Sequence, residues 1–347
     1  MRRRTIMLTG AAGYLGTALA ERFAARREWT RVVGLAHRTT ANLPKEVVVL
    51  RGDVRDAHLG LSADGLAELL ASVDVIVHCA AITDFVTSRD ATARVNVTGT
   101  KHILRLAERT GARFVYVSSA FRESRTEQDG AGVDASGYLD SKNRAEAHMR
   151  DSSADWMIVR PSLLTASPTR PWVAQRQGFA FLVRGLLTDR IPILPASPDS
   201  RIDFIATDLV ADIVAELACL QHWPASPREW WLTAGPLAWT VDELTQAVAD
   251  FRRGLGESGP FPRVIGPDVM DRLVRPVLMP ALPNGVQARM RNIERLGPAL
   301  FRVEPFPTSL DELRVAFGKD WSLDTAGTFL QTARTLRETR PDSEVSP

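Results

Sequence analysis

Three glycines at regular spacing, Gly10, Gly13 and Gly16, constrain the fold of this chain more than any other feature of its 347 residues. They directly follow an apolar run at residues 5–8, and the apolar positions after them recur at the spacing of a helix. A glycine-rich turn between a buried strand and a helix lets the backbone approach a pyrophosphate, which the helix N-terminus attracts. The pattern therefore predicts a dinucleotide-binding loop.

Short apolar runs alternate with helical patterns along the first 160 residues. The predicted strands are residues 5–8, 32–35, 47–50, 73–79, 114–117 and 156–159, and the predicted helices are residues 14–27, 66–70, 91–109 and 136–150. Strands that are apolar throughout and separated by helices are typical of a parallel sheet covered on both faces. We therefore expect an α/β fold, a Rossmann-type doubly wound parallel sheet.

The alternation stops after Arg160, and proline becomes frequent. A strand and helix pattern at residues 201–220 indicates a return to the first domain. This predicts a dinucleotide-binding domain of residues 1–160 with 201–220, and a smaller substrate-binding cap of residues 161–200 and 221–347, whose polar end at 337–347 is expected to be disordered. Four tryptophans either line an apolar pocket in the cap or form its core: Trp223, Trp230, Trp231 and Trp239.

The composition excludes several classes of partner. The net charge of +2 is too small to indicate nucleic acid or an anionic membrane as the main partner. The basic start of the chain resembles a secretory signal, but the regular glycines favour a strand, a turn and a helix, and no apolar run is long enough to span a membrane. Cys79 and Cys219 are predicted to be buried free thiols, which suits a reducing compartment. We expect a cytoplasmic protein.

The end of the second predicted strand distinguishes NAD from NADP. NAD sites carry an acidic residue there for the ribose 2′-hydroxyl, whereas NADP sites use a nearby arginine for the 2′-phosphate. Ala36 occupies this position, and His37 and Arg38 follow it. Because the position lacks a carboxylate and has a cation beside it, the sequence predicts NADPH. Asp53, after the third predicted strand, is a candidate acceptor for the adenine amino group.

Tyr138 and Lys142 lie four residues apart in a predicted helix and therefore on one face of it. A free tyrosine has a pKa of about 10 and is a poor base at neutral pH. We expect the ammonium of Lys142, helped by a cationic nicotinamide ring, to lower the pKa of Tyr138, and Lys142 to bind the nicotinamide ribose. His78 is interpreted as a core histidine, because no other ligands occur at metal-binding spacing.

These motifs together resemble the extended short-chain dehydrogenase/reductase family, and most of all its thioester reductase and fatty acyl reductase branch. The resemblance covers residues 4–220 approximately and is carried by residues 9–16, 78–81, 96–100, 117–120, 138–142, 145–146 and 160–161. It implies that Tyr138 is the general acid/base and Lys142 its activator. It also implies that Ser119, or failing that Ser118, polarises a carbonyl, and that Asn96 belongs to a helix that places a water for proton relay.

The family resemblance also implies which residues bind the cofactor and what the substrate is. The cofactor contacts implied in addition to the three glycines, His37, Arg38 and Asp53 are Thr9, Tyr14, Leu15, Val54, Ala80, Ala81, Lys142 and Pro161. The implied activity is NADPH-dependent hydride transfer to a ketone, an aldehyde or an acyl thioester. The substrate is then a small molecule or a carrier-bound acyl group, and both a monomer and a homodimer remain open.

Two other functions remain as alternatives. Nucleotide-sugar epimerases and dehydratases resemble the chain, but they usually have the acidic residue that is missing at Ala36, and they commonly have arginine where Ile202 stands here. A redox sensor that binds NADP without chemistry would typically lack the catalytic tyrosine and lysine. The retention of Tyr138 and Lys142 therefore favours an enzyme.

Overall fold

The computed structural model describes residues 4–26, 30–38, 43–83, 87–123, 136–166, 178–191, 193–223, 225–226, 228–258 and 261–339. The strands are β1 (Arg4–Thr9), β2 (Thr30–Ala36), β3 (Val48–Arg51), β4 (Val75–His78), β5 (Arg113–Val117), β6 (Trp156–Pro161), β7 (Leu163–Thr165), β8 (Ile193–Pro195), β9 (Arg201–Ile202), β10 (Phe204–Ala206), β11 (Glu229–Leu232), β12 (Trp239–Thr240) and β13 (Arg263–Ile265). The α-helices are α1 (Tyr14–Ala24), α2 (Ala63–Ser72), α3 (Arg89–Ala93), α4 (Thr100–Thr110), α5 (Ser136–Arg150), α6 (Gly178–Leu187), α7 (Thr207–Cys219), α8 (Val241–Gly254), α9 (Pro267–Val269), α10 (Asn284–Leu300), α11 (Leu310–Phe317) and α12 (Thr325–Glu338).

The chain divides into two compact units. The first contains the described residues up to Glu123, together with Ser136–Pro161 and Thr207–Leu232. The second contains the described residues of Ser162–Ala206 and those from Thr233 onward. Each unit is therefore built from separate stretches of the chain.

The first unit is built on a seven-stranded parallel sheet with the strand order β11-β6-β5-β4-β1-β2-β3. The order reverses between β1 and β4, and this reversal is the switch point beside which doubly wound folds bind their ligands. All six predicted strands are present with small shifts at their ends. The prediction of a Rossmann-type α/β fold is confirmed.

The segment that returns to the first unit differs from the predicted one. It runs over Thr207–Leu232 instead of 201–220, because β11 pairs in parallel with β6 and forms the edge of the central sheet. Residues 201–206 belong to the second unit, where β9 pairs with β12 and β10 pairs with β7. The strand β11 was not predicted, because its tryptophans had been assigned to a pocket or core of the cap.

One face of the central sheet forms an apolar core with its helices. Strand residues such as Met7, Ile76 and Phe114 are fully buried there against Ile103 of α4 and Met149 of α5. Burying a side chain of this size contributes ~1.5–3 kcal/mol. The core fixes α5, and with it the tyrosine and lysine of the candidate site, against β5.

A π-helical stretch over Arg94–Gly99 joins α3 to α4, where the sequence predicted one regular helix. Its widened turn contains the buried Asn96. At Gly99 an added Cβ would lie 2.8 Å from Val54 Cγ2, so the helix packs closely on the residues after β3. Such stretches occur frequently at functional sites.

The second unit has its own apolar core and three small two-stranded sheets, β7 with β10, β8 with β13, and β9 with β12. Phe204 stacks on Phe179 with ring centroids 4.3 Å apart, and the ring of Trp239 meets Phe204 edge-on. Trp239 is thus part of this core, whereas Trp223, Trp230 and Trp231 lie in the first unit.

Within the described ranges, no helix is long and apolar enough to cross a membrane. Cys79 directly follows β4 and Cys219 ends α7; both are free, and each residue as a whole is partly exposed. The predicted disordered tail is wrong at residues 337–338, which belong to the last turn of α12, and residues 340–347 lie outside the described residues.

Candidate active site

A cavity of about 600 Å³ lies at the carboxyl edge of the central sheet, where the chain leaves β1, β2, β3 and β4. Eight of the predicted cofactor residues line it: Gly10, Gly13, His37, Arg38, Asp53, Val54, Ala80 and Ala81. Arg55 and Ile82 also line it and were not predicted. The structure therefore brings the predicted residues of four loops together around one space.

The glycine loop has the geometry of an anion cradle. Gly10 has a φ of +66°, and a Cβ there would lie 2.7 Å from the backbone nitrogen of Ala80. A Cβ at Gly16 would lie 2.0 Å from the carbonyl oxygen of Gly10, so both positions require glycine. The helix α1 has Gly13 as its N-cap and lacks both a capping side chain and an acidic residue in its first turn. Its positive end fits a pyrophosphate.

The remaining predicted cofactor residues lie outside this cavity. Five of these six residues are buried: Thr9, Tyr14, Leu15, Gly16 and Lys142. Pro161 is also buried, as the last residue of β6, where it pairs with Leu232 of β11.

Asp53 at the rim of the cavity is already paired with a cation. Its carboxylate accepts hydrogen bonds from Arg55 Nε at 3.0 Å and Arg55 Nη2 at 2.6 Å, and His37 Nε2 lies 3.3 Å from it. The bonds from Arg55 lower the pKa of Asp53. The predicted adenine acceptor therefore also holds Arg55 at the cavity. Arg55 was missed although it stands only two residues after Asp53.

His78 connects the glycine loop to the π-helical stretch. Its Nδ1 lies 2.6 Å from Thr9 Oγ1, which accepts a hydrogen bond from the Ala80 N–H. Its Nε2 lies 3.0 Å from Thr100 Oγ1, which donates to the Asn96 carbonyl. Burial, with the charge of Lys142, lowers the pKa of His78 to about 3, so the ring is neutral. His78 is a core histidine, as predicted, and no cluster suited to a metal ion occurs in the described ranges.

Ser119, Tyr138 and Lys142 are buried together at the carboxyl end of β5. The side chains of Ser119 and Tyr138 are hydrogen-bonded to each other. Lys142 Nζ donates to the carbonyl oxygen of Val117 at 2.9 Å and lies 4.9 Å from the ring centroid of Tyr116. The helix α5 supplies the phenol and the ammonium, and the turn after β5 supplies the hydroxyl.

The ionisation of Tyr138 differs from the prediction. Burial raises the pKa of Tyr138 to about 12, although the hydrogen bond to Ser119 acts to lower it. Burial also lowers the pKa of Lys142 to about 8. The expected lowering is not found for the protein's own residues, because the loss of hydration outweighs the hydrogen bond to Ser119. Tyr138 is therefore protonated at neutral pH and can act as a proton donor.

Ser118 faces away from the phenol. Its Oγ donates a hydrogen bond to Glu146 Oε1 at 2.6 Å. Ser119 Oγ instead accepts a hydrogen bond from the Phe121 N–H at 3.3 Å besides its bond with Tyr138. Of the two predicted serines, Ser119 is the one beside the phenol.

Asn96 holds the chain after β4 in place. Its Oδ1 accepts from the Ile82 N–H at 2.8 Å, and its Nδ2 donates to the Ile82 carbonyl at 2.9 Å and to Ser141 Oγ at 3.0 Å. The residue thus ties a wall of the cavity to α5. Its part in a proton relay stays a prediction.

Sequence comparison decides the family. A model of NAD-binding proteins described as Male sterility protein matches residues 8–214, which is more than half of the chain. The chain belongs to this male sterility protein family. Its match includes the glycine loop, Tyr138 and Lys142, and identifies the chain as an extended short-chain dehydrogenase/reductase.

Curated relatives of the chain include much longer proteins. Peramine synthetase A of Epichloe festucae (strain Fl1) is 30% identical over an alignment 201 residues long, and the match covers 48% of this chain and 7% of that protein. The chain therefore spans a small fraction of the length of such curated relatives.

Several solved structures share the fold of this chain. The terminal R domain from the myxalamid PKS-NRPS pathway has a TM-score of 0.73 at 22% identity, with coverage of 96% of this chain and 90% of that one. The reductase domain of a nonribosomal peptide synthetase from Mycobacterium tuberculosis has a TM-score of 0.68 at 20% identity, covering 97% and 92%. The Bordetella bronchiseptica enzyme WbmH, in complex with NAD⁺, has a TM-score of 0.65 at 17% identity, covering 96% and 99%. The family model indicates a nicotinamide dinucleotide as the cofactor, and the solved structures show the same fold.

Proposed function

We propose that this chain is an NADPH-dependent reductase that transfers a hydride to a carbonyl group, with acyl thioesters as the favoured substrates. The observation that carries the proposal is the buried contact of a neutral Tyr138 with Ser119, beside Lys142. The three residues lie at the carboxyl end of β5, on the same edge of the parallel sheet as the cavity. Such a site can stabilise an oxyanion and give it a proton.

The chain's residues act on the carbonyl oxygen. NADPH, when bound, supplies the hydride that adds to the carbonyl carbon. Ser119 and Tyr138 donate hydrogen bonds to the oxygen as its negative charge develops. Tyr138 then gives up its proton. The pKa of Lys142 is about 8, close to neutral pH, so Lys142 is suited to return a proton to Tyr138.

The atoms and electrons balance for a thioester. The hydride provides two electrons and forms the new C–H bond, and the proton completes a thiohemiacetal. Cleavage of its C–S bond then forms the aldehyde, and the sulfur leaves as a thiol. For a ketone or aldehyde the reaction ends at the alcohol after the proton transfer.

The preference for NADPH is supported by the rim of the cavity. Ala36 ends β2 without a carboxylate, and His37, Arg38 and Arg55 line the space around it. Asp53 is the acidic residue among them, and it is paired with Arg55. The rim therefore offers net positive charge to a 2′-phosphate.

The preference for thioesters is supported by the family and by the relatives. One curated relative is named a synthetase, and the structures of similar fold include reductase domains of such enzymes. A structure described as a thiolation-reductase di-domain from an archaeal nonribosomal peptide synthetase has a TM-score of 0.69. We infer that the acyl group is presented by a carrier and that the second unit contributes to substrate binding.

A substrate screen tests the proposal. The purified chain is incubated with NADPH and with acyl thioesters of coenzyme A, acyl thioesters of a phosphopantetheinyl carrier, aldehydes or ketones. NADPH consumption is followed by absorbance, and the product is identified by mass spectrometry. Aldehyde release from a thioester, absent in Tyr138→Phe, is the expected result. Conversion of a nucleotide sugar without NADPH consumption would instead support the epimerase alternative.

A further inference from the structure

Glu146 lies on the same face of α5 as Tyr138 and Lys142, since the three residues follow each other at intervals of four. Its side chain is 0% exposed. A carboxylate in such a position loses its hydration and is tolerated only when its oxygens are well paired. The proposed reaction gives Glu146 no part, so its burial needs another explanation.

The partners of Glu146 connect α5 to the turn that contains Ser119. Its Oε1 accepts hydrogen bonds from Ser118 Oγ at 2.6 Å and from Arg160 Nε at 3.0 Å. Its Oε2 accepts from Arg160 Nη2 and from Arg150 Nη2, both at 2.8 Å. The carboxylate thus fixes the residue directly before Ser119 and is balanced by two arginines.

We propose that Glu146 is a positioning residue of the reductase site, which keeps Lys142 protonated through its negative charge and orients Ser119 through its bond to Ser118. This inference rests on the proposed function. It gives the buried carboxylate a task that a purely structural ion pair would not have.

Among the described residues, five titratable groups act on Lys142 or lie around it. From α5 these are Tyr138 and Glu146, from β5 Tyr116, and from β4 and its end His78 and Cys79. Burial lowers the pKa of Lys142, whereas charge at Cys79 and at Glu146 opposes that shift. Burial raises the pKa of the Cys79 thiol to about 11, so at neutral pH the thiol is uncharged. Glu146 is then the anionic member of this set.

The chain offers a matched control at Glu229 of β11. This carboxylate binds the same two arginines, with Oε2 2.5 Å from Arg160 Nη2 and Oε1 2.8 Å from Arg150 Nε. Its side chain is 32% exposed, and its hydrogen bonds do not involve Ser118. Glu146→Gln and Glu229→Gln therefore remove equal charge from one network at different places.

Lysine NMR measures the charge of Lys142 without requiring turnover. The chain has four lysines, Lys45, Lys101, Lys142 and Lys319. In protein labelled with ¹³C at lysine Cε, the Lys142 signal is assigned as the one missing from Lys142→Arg. Its titration midpoint is expected to fall by about one pH unit in Glu146→Gln, because an adjacent opposite charge is lost. It is expected to stay unchanged in Glu229→Gln.

The half-exposed Arg150 supplies a variant that is expected to shift the Lys142 midpoint in the opposite direction. Arg150→Gln removes a positive charge that offsets Glu146, so the midpoint of Lys142 is expected to rise. This variant tests the inference if Glu146→Gln does not fold. An unchanged midpoint in the variant that folds, or equal shifts in Glu146→Gln and Glu229→Gln, would overturn it. The proposed function fails separately, if the wild-type chain reduces no carbonyl or if Tyr138→Phe retains full activity.

Discussion

The side chains of Ser119 and Tyr138 are hydrogen-bonded to each other, although one follows a strand and the other lies in the first turn of a helix. The bond holds the phenol beside the hydroxyl that is proposed to bind the same carbonyl oxygen. Because burial raises the pKa of Tyr138 to about 12, the pair is neutral around pH 7. In the proposed reduction, the phenol therefore begins with its proton.

Removal of the phenol hydroxyl should abolish turnover without preventing cofactor binding. We expect Tyr138→Phe to lower kcat by ~10²–10⁴-fold, the usual contribution of a positioned proton donor. NADPH affinity, measured by fluorescence titration, should stay within about twofold of the wild type, a range worth less than 0.5 kcal/mol. Wild-type turnover in this variant would contradict the role of Tyr138.

Arg38→Ala should weaken NADPH much more than NADH. A charge-assisted hydrogen bond contributes ~1.5–3 kcal/mol, which corresponds to a loss of about tenfold or more in NADPH affinity. Arg31→Ala is a matched control, because Arg31 is an exposed arginine of β2 that pairs with Glu68. Calorimetry with both cofactors provides the measurement. Equal losses for NADPH and NADH would show that Arg38 does not bind the 2′-phosphate.

Arg55→Ala should change the preference between the two cofactors in a different way. It leaves the carboxylate of Asp53 at the rim without its main partner. That charge would repel a 2′-phosphate and could accept a hydrogen bond from a 2′-hydroxyl. We expect weaker NADPH binding together with NADH binding that is unchanged or tighter. A fall in NADH affinity as large as that of NADPH would count against this arrangement.

The pH dependence of reduction should follow Lys142. Since burial lowers its pKa to about 8, the ammonium is lost as the pH rises through 8, and with it the group that restores the Tyr138 proton. The rate of reduction should therefore fall above about pH 8. Lys142→Arg should remove this limb of the profile, because arginine keeps its charge, and should be slower at every pH. A flat wild-type profile between pH 7 and about pH 9.5 would contradict the assignment, since loss of a group near 8 must show in that range.

Gly16→Ala should abolish cofactor binding. The added methyl would lie 2.0 Å from the Gly10 carbonyl oxygen, so the loop or α1 must move. Gly254→Ala is the control, because a Cβ at that position of α8 meets nothing within 4 Å. NADPH affinity and thermal unfolding are compared for the two variants. Binding by Gly16→Ala at the wild-type level would show that the loop does not hold the cofactor.

Local patterns were sufficient to predict most of the central sheet. The glycine spacing and the apolar runs of β1 to β6 predicted its fold class, because each pattern lies within one short segment. The strand β11 was missed, since its pairing with β6 joins segments that are distant along the chain. Its tryptophans also suggested a pocket or a separate core.

The candidate site was predictable in its residue types but not in its electrostatics. The interval between Tyr138 and Lys142 predicted their common face. The family resemblance already ranked Ser119 above Ser118, but the hydrogen bond from Ser118 to Glu146 forms only in the folded chain and could not be predicted. The pKa of Tyr138 could not be predicted either, because it depends on burial by the whole fold.

The hydrogen bonds from Ala80 through Thr9, His78 and Thr100 to the Asn96 carbonyl all run in one direction. Each hydroxyl accepts on one side and donates on the other, so no single link can reverse without its neighbours. The glycine loop and the π-helical turn are therefore joined through a single tautomer of His78, which carries its proton on Nε2.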